Sequence, residues 1–309
     1  MGSLYFVSIP IGCEVRRYFF VLFPTMAFLQ LYNMKHKQII PECWEEMTPK
    51  QYMYLLRKIF VMMQNDSITK EDVLTDFADY LCGRNYSFRS SKRIDHLLLV
   101  NTASELLKWI FVESDDEVVF DYCTVQNLIP QFRKLTGPQS AGYDLRFGEY
   151  RKACWMYNAY TIDHDIASLD GLVGILYRPK ARKTNSRKFN GDFREPFNEH
   201  LIGKYASRVK HWPEYIKWGI YLWFGYFCKH LMSEEFEIEG NTVSFAPLFQ
   251  SGGDPNVKKD ESLGMTSVLF SLAESRTFGN VDETDQAFLF NVMLKLLADH
   301  QTAQNLKKV

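Results

Sequence analysis

One short phrase constrains the fold more than any other: Glu46-Met47-Thr48-Pro49-Lys50-Gln51. Thr48 suits a helix cap, Pro49 suits the first helical position, and Gln51 completes a Thr-x-x-Gln capping box. Met47 and Tyr52 stand where a hydrophobic staple places its two side chains. Beyond them Tyr52, Leu55, Leu56, Ile59 and Met63 follow the spacing of one buried helical face. A chain that starts this way folds by stacking amphipathic helices.

The same signals recur downstream. A second helix is predicted from Thr69, with Asp72 at the box position and Gly83 as its stop. A third runs from Ile94 to Val112 and carries Leu97, Leu98, Ala103, Leu106, Leu107 and Ile110. Glu117 to Tyr122 leans towards β and reads as a short strand or an extended crossing. Thr136 to Gly142, punctuated by Gly and Pro, is the candidate linker. An aromatic helix then spans Phe147–Tyr160, and another runs from Ile166 to Tyr177 until Pro179 stops it.

Pro213 opens the most hydrophobic helix, striped by Ile216, Ile220, Trp223, Phe224, Phe227 and Leu231. Lys217 and Lys229 bracket it, leaving far fewer than the roughly 20 apolar residues of a membrane span. The chain closes in an expected helical hairpin. Val268, Leu269 and Leu272 lie on one arm, Phe278-Gly279-Asn280 at the corner, and Phe288, Leu289, Val292, Met293, Leu296 and Leu297 on the other. The fold class is therefore mainly α, an irregular multi-helix bundle with at most a short β element near 117–122. Its regions are an atypical segment at 1–33, a helical region at 34–136 and a second at 143–309, as separate domains or one continuous core.

Composition narrows the function classes. Hydrophobic residues make up 46% of the 309, which excludes a wholly disordered chain. A formal net charge of −1 excludes a whole-protein field that would draw the chain to nucleic acid or an anionic membrane. The cysteines, Cys13, Cys43, Cys82, Cys123, Cys154 and Cys228, form no CxxC pair and read as reduced core thiols of a cytoplasmic protein. Arg16-Arg17 precede an apolar run from Phe19 to Tyr32 that is interrupted by Pro24. That stretch fits a packed segment, a degenerate export signal, or translation upstream of a start at Met34 rather than Met1; the last is favoured.

Three clusters are candidates for chemistry. Asp163-His164-Asp165, with Asp170 nearby, has the composition of a metal or acid–base site, although Asp165 also suits the cap of the helix starting at Ile166. Glu195 and His200, in Arg194-Glu195-Pro196-Phe197-Asn198-Glu199-His200, suit a cleft, but Glu195-Pro196 also reads as an ordinary helix start. Residues 178–194 carry Arg178, Lys180, Arg182, Lys183, Arg187, Lys188 and Arg194 against Asp192 alone. They read as an exposed loop, solvated or in contact with a protein partner or nucleic acid, with Phe189 and Phe193 its only aromatics. No P-loop, nucleophile elbow, zinc-protease helix or Rossmann fingerprint is present, so neither catalysis nor a cofactor or metal is expected.

Several phrases together carry a resemblance. They are the stretch from Ile40 to Gln51, Phe147-Gly148-Glu149-Tyr150, Leu172-Val173-Gly174-Ile175-Leu176-Tyr177-Arg178-Pro179, and Leu272-Ala273-Glu274 with Phe278-Gly279. From Met34 to Leu297 the layout resembles mostly helical proteins encoded by Bacteroidota phages and prophages beside tail and other virion genes. That resemblance implies an accessory or chaperone-like factor of tail assembly, acting by protein–protein binding in the cytoplasm of the bacterial host. A virion or tail component would be its partner, and no membrane is involved. The alternatives are a nucleic-acid-binding accessory protein using 178–194 and a cryptic enzyme centred on Asp163, His164 and Asp165.

Overall fold

The computed structural model describes residues 40–83, 90–114, 117–182, 189, 191–249 and 265–307. The chain divides into two compact units, Met1–Thr124 and Val125–Val309. The boundary precedes the expected linker at 136–142, because that stretch is built into the second unit. Gly137 N–H donates to Pro130 O at 2.9 Å, and the Asn127 side chain donates to Pro138 O at 2.7 Å. The segment 1–33 and the alternative start at Met34 lie outside the described residues.

In the first unit, helix α1 (Pro49–Met63) begins as its sequence dictates. Gln51 N–H donates to Thr48 Oγ1 at 3.3 Å, and Thr48 N–H donates to Gln51 Oε1 at 2.8 Å. Helix α2 (Lys70–Leu81) repeats the device with Thr69 and Asp72, and Gly83 follows it at φ 77°. The buried face of α1 packs against α2, which buries Val73, Leu74 and Phe77. Helix α3 (Ser90–Leu106) ends sooner than expected. A short 3-10 turn, Lys108–Ile110, leads from it into strand β1 (Phe111–Ser114), which pairs antiparallel with β2 (Glu117–Phe120).

The predicted stripe of α3 is partly misplaced. Leu97 and Leu98 are exposed, while Leu99, Val100 and Ala103 are buried. Four consecutive apolar residues, Leu97 to Val100, make two helical faces look alike, and the contact with α2 decides between them. At the centre of the unit sits Trp44. Its ring meets Trp109, Phe120 and Tyr52 edge-on, with centroids 5.0, 5.4 and 6.0 Å away, and its N–H donates to Asp121 O at 2.9 Å.

The second unit opens with β3 (Gln131–Phe132) and β4 (Leu135–Thr136), joined antiparallel to β5 (Arg178–Pro179). Between them run α4 (Phe147–Asp163) and α5 (Ile166–Leu176), which pack on each other. Helix α5 also packs against α6 (Ile202–Val209) and α7 (Glu214–Ser233). Gly174 permits the approach to α6: a Cβ there would lie 2.6 Å from the Tyr205 carbonyl carbon, closer than any side chain tolerates.

The whole predicted stripe of α7 is buried, and each such aromatic or aliphatic side chain stabilises by roughly 1.5–3 kcal/mol relative to exposure. Lys217, one of the two lysines that bracket the apolar run, turns into the interior. It is buried, donating to Asp170 Oδ1 at 2.5 Å and to Lys210 O at 3.0 Å. Hairpin β6 (Glu235–Ile238) and β7 (Asn241–Ser244), the short α8 (Ala246–Phe249), α9 (Met265–Glu274), α10 (Val281–Gln286) and α11 (Leu289–Lys307) complete the unit. Helix α10, capped by Asn280, replaces the simple corner expected of a hairpin.

The fold is mostly helical, as the periodicity requires. Its β content is larger than the single element expected near 117–122: the described residues hold three small antiparallel sheets. No helix among them is long and apolar enough to cross a membrane.

Candidate functional site

The segment 178–194 is not uniformly a loop. Its two ends are tied together, with Arg178-Pro179 pairing to β4, Lys180 bridging to Arg194, and Ala181 N–H donating to Phe193 O at 2.8 Å. This pairing turns Arg178 and Arg194 inward. Both are fully buried, at 0% and 1% exposure, so the expected solvent contacts at these two positions are corrected. Lys180 and Arg182 are exposed. Lys183, Arg187 and Lys188 lie outside the described residues.

The two buried guanidinium groups close on one carboxylate. Glu149 stands in the first turn of α4, where a carboxylate also complements the helix dipole. Its Oε1 lies 2.9 Å from Arg178 Nη1 and 2.5 Å from Arg194 Nη1, and Oε2 accepts from both Nη2 groups at 3.2 Å. Arg194 Nε donates to Asp192 at 3.0 Å and lies 3.5 Å from Asp144.

Main-chain oxygens take the remaining protons. Arg178 donates to Glu195 O at 2.7 Å and to Ile175 O, while Arg194 donates to Leu176 O at 3.0 Å and to Asp144 O at 3.1 Å. Such satisfaction is what makes a buried ion cluster tolerable, since the desolvation of each charge is otherwise uncompensated.

The carboxylates divide by environment. Burial pushes the Glu149 carboxyl up, but Arg178 and Arg194 outweigh it and hold it below the usual glutamate range. For Asp144 burial wins over the attraction of Arg194, helped by repulsion from Glu149 and Asp192, and its carboxyl lies above the usual aspartate range. Arg194 itself holds its proton more tightly than usual. Burial works against this, and Glu149, Asp144 and Asp192 prevail.

Above this cluster opens a cleft of about 850 Å³. Arg194 and Asp192 form part of its wall, and Arg182, Pro196, Leu201, Lys204 and Arg208 surround it. The wall is braced from behind. Arg178 lies 5.7 Å from the Phe197 ring, Gln286 donates to Phe197 O at 3.1 Å, and Asn198 N–H donates to Tyr205 Oη at 3.3 Å. Arg146 stacks 3.7 Å over Phe288 and donates to Gln286 O at 2.8 Å. Arg182, Lys204 and Arg208 are exposed and make no ion pair with a described residue.

The other candidates come apart. Asp163, His164 and Asp165 are all exposed. Asp165 caps α5 by accepting from Ala167 and Ser168 N–H at 3.1 and 3.0 Å, and those bonds lower its carboxyl below the usual range. Asp170 is turned away to Lys217. The alternative of a site at Asp163, His164 and Asp165 is therefore not assembled as a cluster. Glu195 lines the cleft, but His200 sits exposed in a 3-10 turn that starts at Glu199 under an Asn198 cap, so Glu195-Pro196 does not open a helix. Among the described residues no group of three His, Cys, Asp or Glu is placed to hold a metal ion.

Glu149, Asp144, Lys204 and Arg208 belong to this region and had no signal as site residues. Glu149 stands inside Phe147-Gly148-Glu149-Tyr150, and its local bond, accepting from Arg146 N–H at 3.4 Å, is that of a helix cap and does not mark it as buried. A smaller cleft in the first unit, about 430 Å³, has its carboxylates engaged: Asp72 in the α2 cap, Asp76 with Tyr54 and Lys58, and Asp79 with His96 at 2.7 Å.

Compared with known proteins, the chain matches no family model, no curated protein and no solved structure.

Proposed function

We propose that this chain is an accessory, chaperone-like factor of phage virion or tail assembly that binds another protein in the host cytoplasm and catalyses no reaction. One observation carries the reading: three exposed cations with no ion partner among the described residues surround a cleft whose wall is braced by a hydrogen-bonded ion cluster. Rigid walls with unpaired charges at the rim are suited to recognition, because little ordering remains to oppose binding. The resemblance of the phrases from Ile40 to Gly279 to phage and prophage proteins supplies the biological setting.

The test is capture by the tagged full chain from phage-producing cells, in parallel with nuclease treatment, followed by reconstitution from purified proteins. A nuclease-resistant virion or tail protein that rebinds in pure form is the expected result. Capture that disappears with nuclease would move the function to nucleic acid and to the exposed cations of 178–194.

A further inference from the structure

We infer that the cleft of the second unit receives an acidic segment of the partner protein, carboxylates at its rim and one large apolar side chain inside; this rests on the protein-binding function proposed above. The charges make the first argument. Lys204 and Arg208 are four residues apart on α6 and so share one helical face, and Arg182 approaches from the segment after β5. None of the three has an ionic partner among the described residues, unlike Arg178, Arg194, Arg151 and Lys217, each of which is tied to a carboxylate. An Arg-rich rim of this kind recognises carboxylates through charge-assisted, often bidentate, hydrogen bonds.

The lining makes the second argument. Pro196, Leu201 and the half-buried Phe189 give the interior an apolar surface that a purely polar ligand would leave uncovered. At about 850 Å³ the cleft has the size of ligand sites that enclose a compact group. A nucleic-acid strand fits less well. It needs a track of cations along successive phosphates, whereas Arg178 and Arg194 are spent inside the protein and Asp192 and Glu195 stand in the wall. A short segment needs only two or three carboxylates to match the three rim cations, where a strand needs a continuous track.

Fluorescence anisotropy on the full chain tests this directly. The probe is a fluorescein-labelled peptide of Glu and Asp residues around one Phe. The controls are the same peptide with Gln and Asn in place of the acids, and a labelled oligo-dT strand. Saturable binding of the acidic peptide alone is expected, weakening as salt rises, and weaker by about tenfold or more in the triple variant Arg182→Ala/Lys204→Ala/Arg208→Ala. Circular dichroism verifies that this variant, altered only at exposed positions, is folded. Equal binding by wild type and triple variant, no saturable binding of the acidic peptide, or tighter binding of oligo-dT would each overturn the inference.

The same triple variant enters the nuclease-treated capture assay. If it still captures the virion protein while the peptide fails to bind, the protein-binding function stands and the cleft is not its site. If the wild type captures nothing while the peptide binds as expected, the cleft assignment stands and the assembly function falls.

Discussion

Both units bury an apolar core, and the second adds to it a buried ion cluster. The first unit gathers around Trp44, whose ring is 2% exposed and meets three other aromatic rings edge-on, with one hydrogen bond to satisfy its N–H. The second unit places Glu149, Arg178, Arg194, Asp144 and Asp192 in its interior, and every buried charged residue among those described lies in this unit. An aromatic core depends on volume and shape and is indifferent to charge. An ionic core depends on each partner being present and correctly protonated. The contrast also separates two kinds of arginine. Arg178 and Arg194 are consumed by the structure, and Arg182 and Arg208 are left over for something else.

The largest effects attack each core by its own weakness. Glu149→Gln keeps the volume and removes the charge, leaving two buried guanidinium groups without their shared carboxylate; a loss of about 3–5 kcal/mol in urea unfolding is expected. Trp44→Ala empties the aromatic box, and a similar loss of about 3–5 kcal/mol is expected, read as faster hydrogen exchange in peptides of the first unit. An Asp144→Asn variant sharpens the comparison. Asp144 already carries a raised pKa, so its neutral replacement costs clearly less than Glu149→Gln; an equal cost would show that the cluster needs both charges alike.

Acid separates the units next. Glu149 has a depressed pKa, so its stabilising contribution is complete above the ordinary glutamate range and is lost as pH falls through the depressed folded value. Asp144 runs the other way. Its raised pKa means the folded state takes up its proton first, and stability contributed there falls as pH rises through the raised value. The second unit should therefore tolerate mild acid and then lose protection steeply once Glu149 protonates. The described rings that meet Trp44 edge-on, Trp109, Phe120 and Tyr52, carry no group that changes charge in that range. Hydrogen exchange corrected for its intrinsic pH dependence, followed unit by unit, reads the difference. Equal acid sensitivity of the two core regions would remove the distinction.

Smaller effects finish the series. Thr48→Ala removes one half of the α1 capping box, and a loss of about 1 kcal/mol is expected. The exposed rim is the opposite limit: Arg182→Ala, Lys204→Ala and Arg208→Ala should each change stability by less than about 0.5 kcal/mol. A large loss at any of the three would place that residue in the structural charge network.

Local physics explains what was legible beforehand. The starts of α1 and α2 were readable because Thr48 with Gln51, and Thr69 with Asp72, complete their hydrogen bonds within one helical turn. The face of α7 was readable because its apolar residues keep a single helical period. The face of α3 was misread where Leu97 to Val100 present no gap in the apolar run. The site was legible only in outline. The basic segment pointed to the right region, but two of its seven cations proved to be core residues, and Lys204 and Arg208 come from another element.

The sequence by itself determined where α1, α2, α4, α5 and α7 begin, that helix dominates, and which side of α1 and α7 is apolar. These follow from interactions a few residues long. Only the tertiary structure decided which charges are buried, because Glu149 meets Arg178 across 29 residues and Arg194 across 45. Nothing in the neighbourhood of an arginine states whether a carboxylate will arrive from so far along the chain. Burial of an ion requires that arrival, and the exposed cations at the cleft are those that no described carboxylate reaches.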